Sequence, residues 1–219
     1  MTHHICLVGT NKSIEKNLIS RGIEVKSYGR NTKPSINFLN ENISFQAQQI
    51  LAQYSGTCFV IATGFLQPKP ITLQTSAEIS RSFLINSAGP VIFSEYILSQ
   101  VENARVILIG SESGKKGSYD LSYALSKSSL RMYVTQKIVA PCQQLLLISP
   151  STISDFGMTI RRKDMSRLEN YRCNHPKQRF LEASELCDLI VAVLNSTNYL
   201  TNIEIDLNGG KFARMKNHD

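Results

Sequence analysis

Tyr123 and Lys127 stand four residues apart in the sequence, so on a helix their side chains share one face. A phenol with an unperturbed pKa of about 10 is a poor proton donor or acceptor at neutral pH. A neighbouring ammonium favours the phenolate and lowers that value. Ser111 follows an apolar run and a glycine, twelve residues upstream, and its hydroxyl could hold a substrate oxygen by a hydrogen bond. The three together would donate a proton to a carbonyl oxygen being reduced, or take one from an alcohol being oxidised. Taken alone, a Tyr-x-x-x-Lys spacing is weak, because surface helices carry it by chance. The surrounding elements decide whether the three residues meet.

Short apolar runs alternate with amphipathic stretches, which predicts an α/β fold: one Rossmann-like, doubly wound parallel sheet flanked by helices, over residues 1–219 as a single domain. Strands are expected at Ile5–Gly9, Ile23–Ser27, Thr57–Ala62, Arg105–Ile109, Gln144–Ile148 and Ile203–Leu207, with a weak one at Ile36–Leu39. Helices are expected at Ser13–Ser20, Phe45–Tyr54, Ala77–Val101, Asp120–Lys137 and Ala183–Leu194; the third of these must tolerate Gly89-Pro90. Ligands of such sheets bind beyond the carboxyl ends of the strands, where strand order reverses. That singles out Gly9-Thr10-Asn11, Arg30, Ala62-Thr63-Gly64, Gly110-Ser111 and Ser149-Pro150.

Composition narrows the function classes. The chain is 42% hydrophobic and 19% charged, as in ordinary globular proteins. It has no apolar run of the roughly 18 residues a membrane span needs, and the first residues lack signal-peptide architecture, so a cytoplasmic location is expected. The net charge of +7 is densest at Arg161-Arg162-Lys163, without the aromatic interleaving or basic tail of a nucleic-acid binder. It reads first as a solvated basic surface and next as a site for a phosphorylated ligand. The five cysteines are scattered, without metal or redox spacing, and read as reduced thiols. His3, His4 and His175 do not have the ligand spacing of a metal site, so no metal is expected.

Several ordered segments carry a resemblance. Arg105-Val-Ile-Leu-Ile-Gly-Ser-Glu-Ser-Gly114, Ser118-Tyr-Asp-Leu-Ser-Tyr-Ala-Leu-Ser-Lys-Ser-Ser-Leu130 and Ile205-Asp206-Leu207-Asn208-Gly209-Gly210 together resemble the short-chain dehydrogenase/reductase family over nearly the whole chain. The resemblance implies an oxidoreductase interconverting a carbonyl and an alcohol with NADP(H) or NAD(H). Tyr123 would be the general acid/base and Ser111 the carbonyl-positioning hydroxyl. Lys127 would bind the nicotinamide ribose and lower the tyrosine pKa. Asn86 would hold a water that links Lys127 to solvent. Gly9, Thr10, Asn11, Ser13, Ile14, Arg30, Ala62, Thr63, Gly64, Pro150 and Ile153 would join Tyr123 and Lys127 in contacting the cofactor. The family further implies a homodimer or homotetramer paired through the long helices at 77–101 and 120–137.

The match is uneven. The family's glycine-rich turn appears as Gly9-Thr10-Asn11-Lys12-Ser13-Ile14-Glu15, with only the first glycine kept and a carboxylate near the expected pyrophosphate position. The family's Asn-Ala-Gly appears as Ala62-Thr63-Gly64, and Asp155 stands where a threonine is usual. Arg30, with no acidic residue at 27–31, favours a 2′-phosphate and hence NADP(H). The segment Ser151–Arg179, where the family places its substrate lid, carries Arg161, Arg162, Lys163, Arg167 and Arg172, which suggests an anionic substrate. The eroded turn leaves a second reading: a catalytically silent protein on the same scaffold, acting as a cofactor sensor or assembly partner.

Overall fold

The computed structural model describes residues 4–67, 69–155, 159 and 165–212, the side chains of 165–167 excepted. Six parallel strands form one sheet: β1 (His4–Val8), β2 (Glu24–Tyr28), β3 (Cys58–Ile61), β4 (Arg105–Ile109), β5 (Gln144–Pro150) and β6 (Ile203–Leu207). Their order is β2-β1-β3-β4-β5-β6, so the chain reverses direction across the sheet between β1 and β3. The four central strands read as continuous apolar runs because both sheet faces are covered. Cys6, Val8, Phe59, Ile61, Val106, Leu108, Leu145 and Leu147 pack on one side. Their alternating neighbours Ile5, Leu7, Cys58, Val60, Ile107, Ile109, Leu146 and Ile148 pack on the other. Each side chain of this size taken fully out of water contributes about 1.5–3 kcal/mol.

Over the first face lie α2 (Ile43–Leu51), α4 (Gly89–Gln100) and α6 (Leu121–Gln136); over the second lie α1 (Lys12–Ile19) and α8 (Ala183–Leu194). Short α5 (Ser113–Lys116) follows β4, and α7 (Met165–Cys173) lies inside the segment 151–179 where the family places its substrate lid. The long helix expected at 77–101 is helical from Ser76 to Gln100, but in three registers: α3 (Ser76–Phe83), a π turn at Leu84–Ala88, then α4. The extra residue of the π turn falls directly before Gly89-Pro90, where proline removes a backbone donor. Gly89 is required there, since a Cβ would lie 2.4 Å from the Phe38 ring.

The strand expected at Ile36–Leu39 is not formed; the segment is a turn and loop. Ile36 and Phe38 are both buried and mimic a strand's period of two. The backbone instead bonds to other partners: Ile36 N–H to the Gly29 carbonyl, and Asn37 N–H to the Gln46 side chain at 2.6 Å. The lid residues Arg161, Arg162 and Lys163, and the Arg167 side chain, lie outside the described residues. Arg172 is exposed and paired with Glu169 on its own helix. Among the described residues no helix is long and apolar enough to cross a membrane.

Candidate active site

The carboxyl ends of the central strands open onto one cleft of about 800 Å³, at the point where strand order reverses and where ligands of doubly wound sheets bind. Gly9 ends β1 at φ +95°, and a Cβ there would sit 2.8 Å from the Ala62 carbonyl oxygen. The glycine thus lets the turns after β1 and β3 close on each other at the floor of the cleft. Thr10, Asn11, Lys12, Ser13, Arg30, Ala62, Thr63 and Gly64 line this side. Ser111, Tyr123, Lys127, Pro150 and Ile153 line the other.

Tyr123 is placed by the start of α6. Asp120 caps that helix, its Oδ1 accepting from the Tyr123 backbone N–H at 3.1 Å, from the Ser122 hydroxyl and from the Gln74 amide. Its Oδ2 accepts from Gln67 N–H at 2.6 Å. A buried carboxylate with four donors fixes both the catalytic helix and the loop after β3. The sequence reading passed over this role of Asp120, although an aspartate directly ahead of a helix is a capping signal.

The phenol of Tyr123 is buried and its pKa is pushed upward by that burial. The Ser111 hydroxyl bonds to the phenol and pulls the other way, while the carboxylates of Asp120 and Glu112 reinforce the rise. Lys127 makes no hydrogen bond to the phenol among the described residues. Its ammonium is drawn to two carbonyls instead, Thr63 at 3.0 Å and Ile109 at 2.9 Å. Burial brings its own pKa from 10.5 down to about 7, because taking the ammonium out of water disfavours its charged form.

Asn86 lies in the middle of the π turn and is fully buried. Its amide oxygen accepts from Phe65 N–H at 2.7 Å, and its nitrogen donates to the Phe65 carbonyl and the Ser82 hydroxyl. The side chain is thus committed to holding the loop after β3, and Asn86 does not line the cleft. Thr63 ties the same loop to the π turn through the Ile85 carbonyl. The hydroxyl at position 63 thus gives this loop a side-chain anchor.

The start of α1 shows how the altered glycine turn is built. The Asn11 side chain caps the helix by accepting from Ser13 N–H at 3.1 Å and Ile14 N–H at 3.2 Å. These are the donors a pyrophosphate would use at a helix N-terminus. The Ile14 side chain points into the core and is fully buried, so only its backbone is available to the cleft. Ser13 donates to the Asp155 carbonyl at 3.0 Å, and Asp155 caps α8 at Ala183 N–H. Ser13, in place of a missing glycine, thus braces α1 against the segment after β5.

Positive charge remains uncommitted along the cleft. Lys12, Arg30 and Arg81 line it, and none makes an ion pair among the described residues; Arg81 lies 4.8 Å over the Phe65 ring. The described residues contain no cluster of three potential metal ligands.

No protein-family model matches the sequence, and no curated protein matches it. Solved structures do match. A glucose/ribitol dehydrogenase of the short-chain dehydrogenase/reductase type from Brucella melitensis superposes with a TM-score of 0.81 at 18% identity, covering 96% of each chain. Ligand-free aldohexose dehydrogenase from Thermoplasma acidophilum gives 0.80 at 16% identity, over 100% of this chain and 98% of that one. A variant of actinorhodin polyketide ketoreductase with NADPH gives 0.82 at 13% identity, over 95% and 97%. The fold is that of the short-chain dehydrogenases/reductases.

Proposed function

We propose that this chain, which carries the short-chain dehydrogenase/reductase fold, is an NAD(P)(H)-dependent oxidoreductase that interconverts a carbonyl and an alcohol. The observation that carries this reading is the convergence of Ser111, Tyr123 and Lys127 on one cleft at the switch point of the sheet. The cleft suits a dinucleotide. Its volume falls within the range of cofactor sites, and Lys12 and Arg30, which line it, offer charge for phosphates. The ketoreductase of the same fold holds NADPH, and Arg30 favours NADP(H) over NAD(H).

A bound nicotinamide would supply the hydride in reduction and accept it in oxidation. Ser111 and Tyr123 would hold the substrate oxygen between their hydroxyls. Tyr123 gives its proton to that oxygen in reduction and takes one back in oxidation. Burial keeps the phenol protonated at neutral pH, which suits the donor role. Lys127, anchored by the Thr63 and Ile109 carbonyls, would meet the ribose. The unpaired cations of the cleft favour an anionic substrate. Exposed apolar side chains on α4 (Ile92) and α6 (Leu121, Leu125) support pairing of subunits through these helices.

A second reading, a catalytically silent assembly partner on the same scaffold, draws on the Asn11 cap, which occupies donors that a pyrophosphate needs. Titrating the fluorescence of NADPH and of NADH with protein tests the primary reading. Saturable quenching or energy transfer, stronger with NADPH, is expected; no change with either cofactor at high protein concentration would refute it.

A further inference from the structure

Glu112 follows Ser111 directly and begins α5, yet it is almost wholly buried. Its N–H donates to the Pro150 carbonyl at 2.9 Å, tying the turn to the end of β5. Its Oε1 takes two ammonium groups, Lys116 on α5 and Lys211 beyond β6, the latter at 3.0 Å. Its Oε2 is buried with no hydrogen-bond partner. Lys115 does not share this carboxylate, being held by Glu204 and Asp206 of β6.

Two close approaches lock the surroundings. At Gly114 a Cβ would lie 3.1 Å from the Lys127 backbone, so α5 rests directly on the catalytic helix. At Gly209, with φ +63°, a Cβ would lie 2.7 Å from the His175 ring, which seats the chain after β6. The segment is further held by Lys116, 5.7 Å over the Phe212 ring.

We propose that Glu112 is a positioning residue of the Ser111–Tyr123 site: an ionic strut that fixes the Ser111 turn to the segment after β6 and adds the field of its carboxylate to that at the Tyr123 phenol. The inference rests on the reductase reading and adds a control over which partner of the proton transfer the enzyme favours. A buried charge is expensive to keep unless paired, and a strut alone could be built from neutral groups. A carboxylate with one oxygen buried and uncommitted, on a residue that lines the cleft, acts electrostatically as well. The charged groups facing the phenol are Asp120 from the start of α6 and Glu112 from the start of α5, with Ser111 as its hydrogen-bond partner. Those facing Glu112 are Lys116, Lys211 and His175. Negative charge near a phenol disfavours phenolate and so keeps the proton donor loaded.

The test compares Glu112→Gln and Lys211→Met. Removing the carboxylate stabilises phenolate, so the basic limb of the pH–rate profile for carbonyl reduction should move down. Removing Lys211 leaves the carboxylate less compensated, so the same limb should move up. A purely structural strut would change rates without opposite displacements. The Tyr123 titration is read independently by 13C NMR of ring-labelled tyrosine, assigned with Tyr123→Phe. Profiles and titrations that coincide with wild type, or that move in the same direction in both variants, overturn the proposal. If the wild-type protein turns over no carbonyl, the NMR titration still reads the two shifts, so failure of the reductase reading and failure of this inference are distinguishable.

Discussion

Replacing Lys127 by methionine should make the cofactor-free protein more stable while removing its function. An ammonium whose pKa falls from 10.5 to about 7 on burial is disfavoured in the fold by about 5 kcal/mol, at 1.36 kcal/mol per pKa unit. The unfolded state binds the proton more tightly, so the penalty is complete below pH 7 and disappears as pH rises through the unfolded value. At pH 9.5 about 1 kcal/mol of it would remain. Methionine fills the same channel without charge, but leaves the Thr63 and Ile109 carbonyls without their donor. That loss offsets about 1 kcal/mol for each. The net expectation is a gain of about 3 kcal/mol at pH 6 and none, or a slight loss, at pH 9.5. Urea denaturation of both proteins at the two pH values measures it, with the midpoint compared at unchanged slope. Other titrating groups are common to both proteins and cancel in the difference. A variant destabilised equally at pH 6 and pH 9.5 would refute the claim that Lys127 is held in the site against its own solvation. A lysine kept there at such expense is best explained by what it does for a ligand.

Asn11→Gly should tighten NADPH binding several-fold, because glycine forfeits only a few tenths of a kcal/mol as a helix cap and frees the Ser13 and Ile14 N–H groups. Weaker binding by fluorescence titration would instead make the Asn11 amide a cofactor contact. Arg30→Ala should lower NADPH affinity about tenfold while leaving NADH nearly unchanged, given the 1.5–3 kcal/mol of a charged hydrogen bond. Equal losses for the two cofactors would remove Arg30 from 2′-phosphate recognition.

The order of strands and helices was legible because both signals are periodic. Apolar runs at β1, β3, β4 and β5 have nothing polar to place, since each face is covered. The 36–39 segment misled because two buried side chains two apart look like a strand, whereas Gly29 and Gln46 supply the hydrogen bonds a neighbouring strand would have supplied. Spacing and the family resemblance together singled out Ser111, Tyr123 and Lys127, which one strand end and one helix bring to the same cleft. The roles of Asp120 and Glu112 were not legible, because their donors come from Gln67, Gln74 and Lys211, far away in sequence. Asn86 was found by its place in the helix, but its use on the Phe65 backbone depends on a π turn that no composition rule announces.

The central claim is most directly tested by carbonyl-dependent oxidation of NADPH, followed at saturating cofactor for wild-type protein and Tyr123→Phe. The account predicts turnover by the wild-type protein with a suitable carbonyl, and a fall of 10²–10⁴-fold in the variant at an NADPH affinity within a few-fold of wild type. Turnover undiminished in Tyr123→Phe would contradict it.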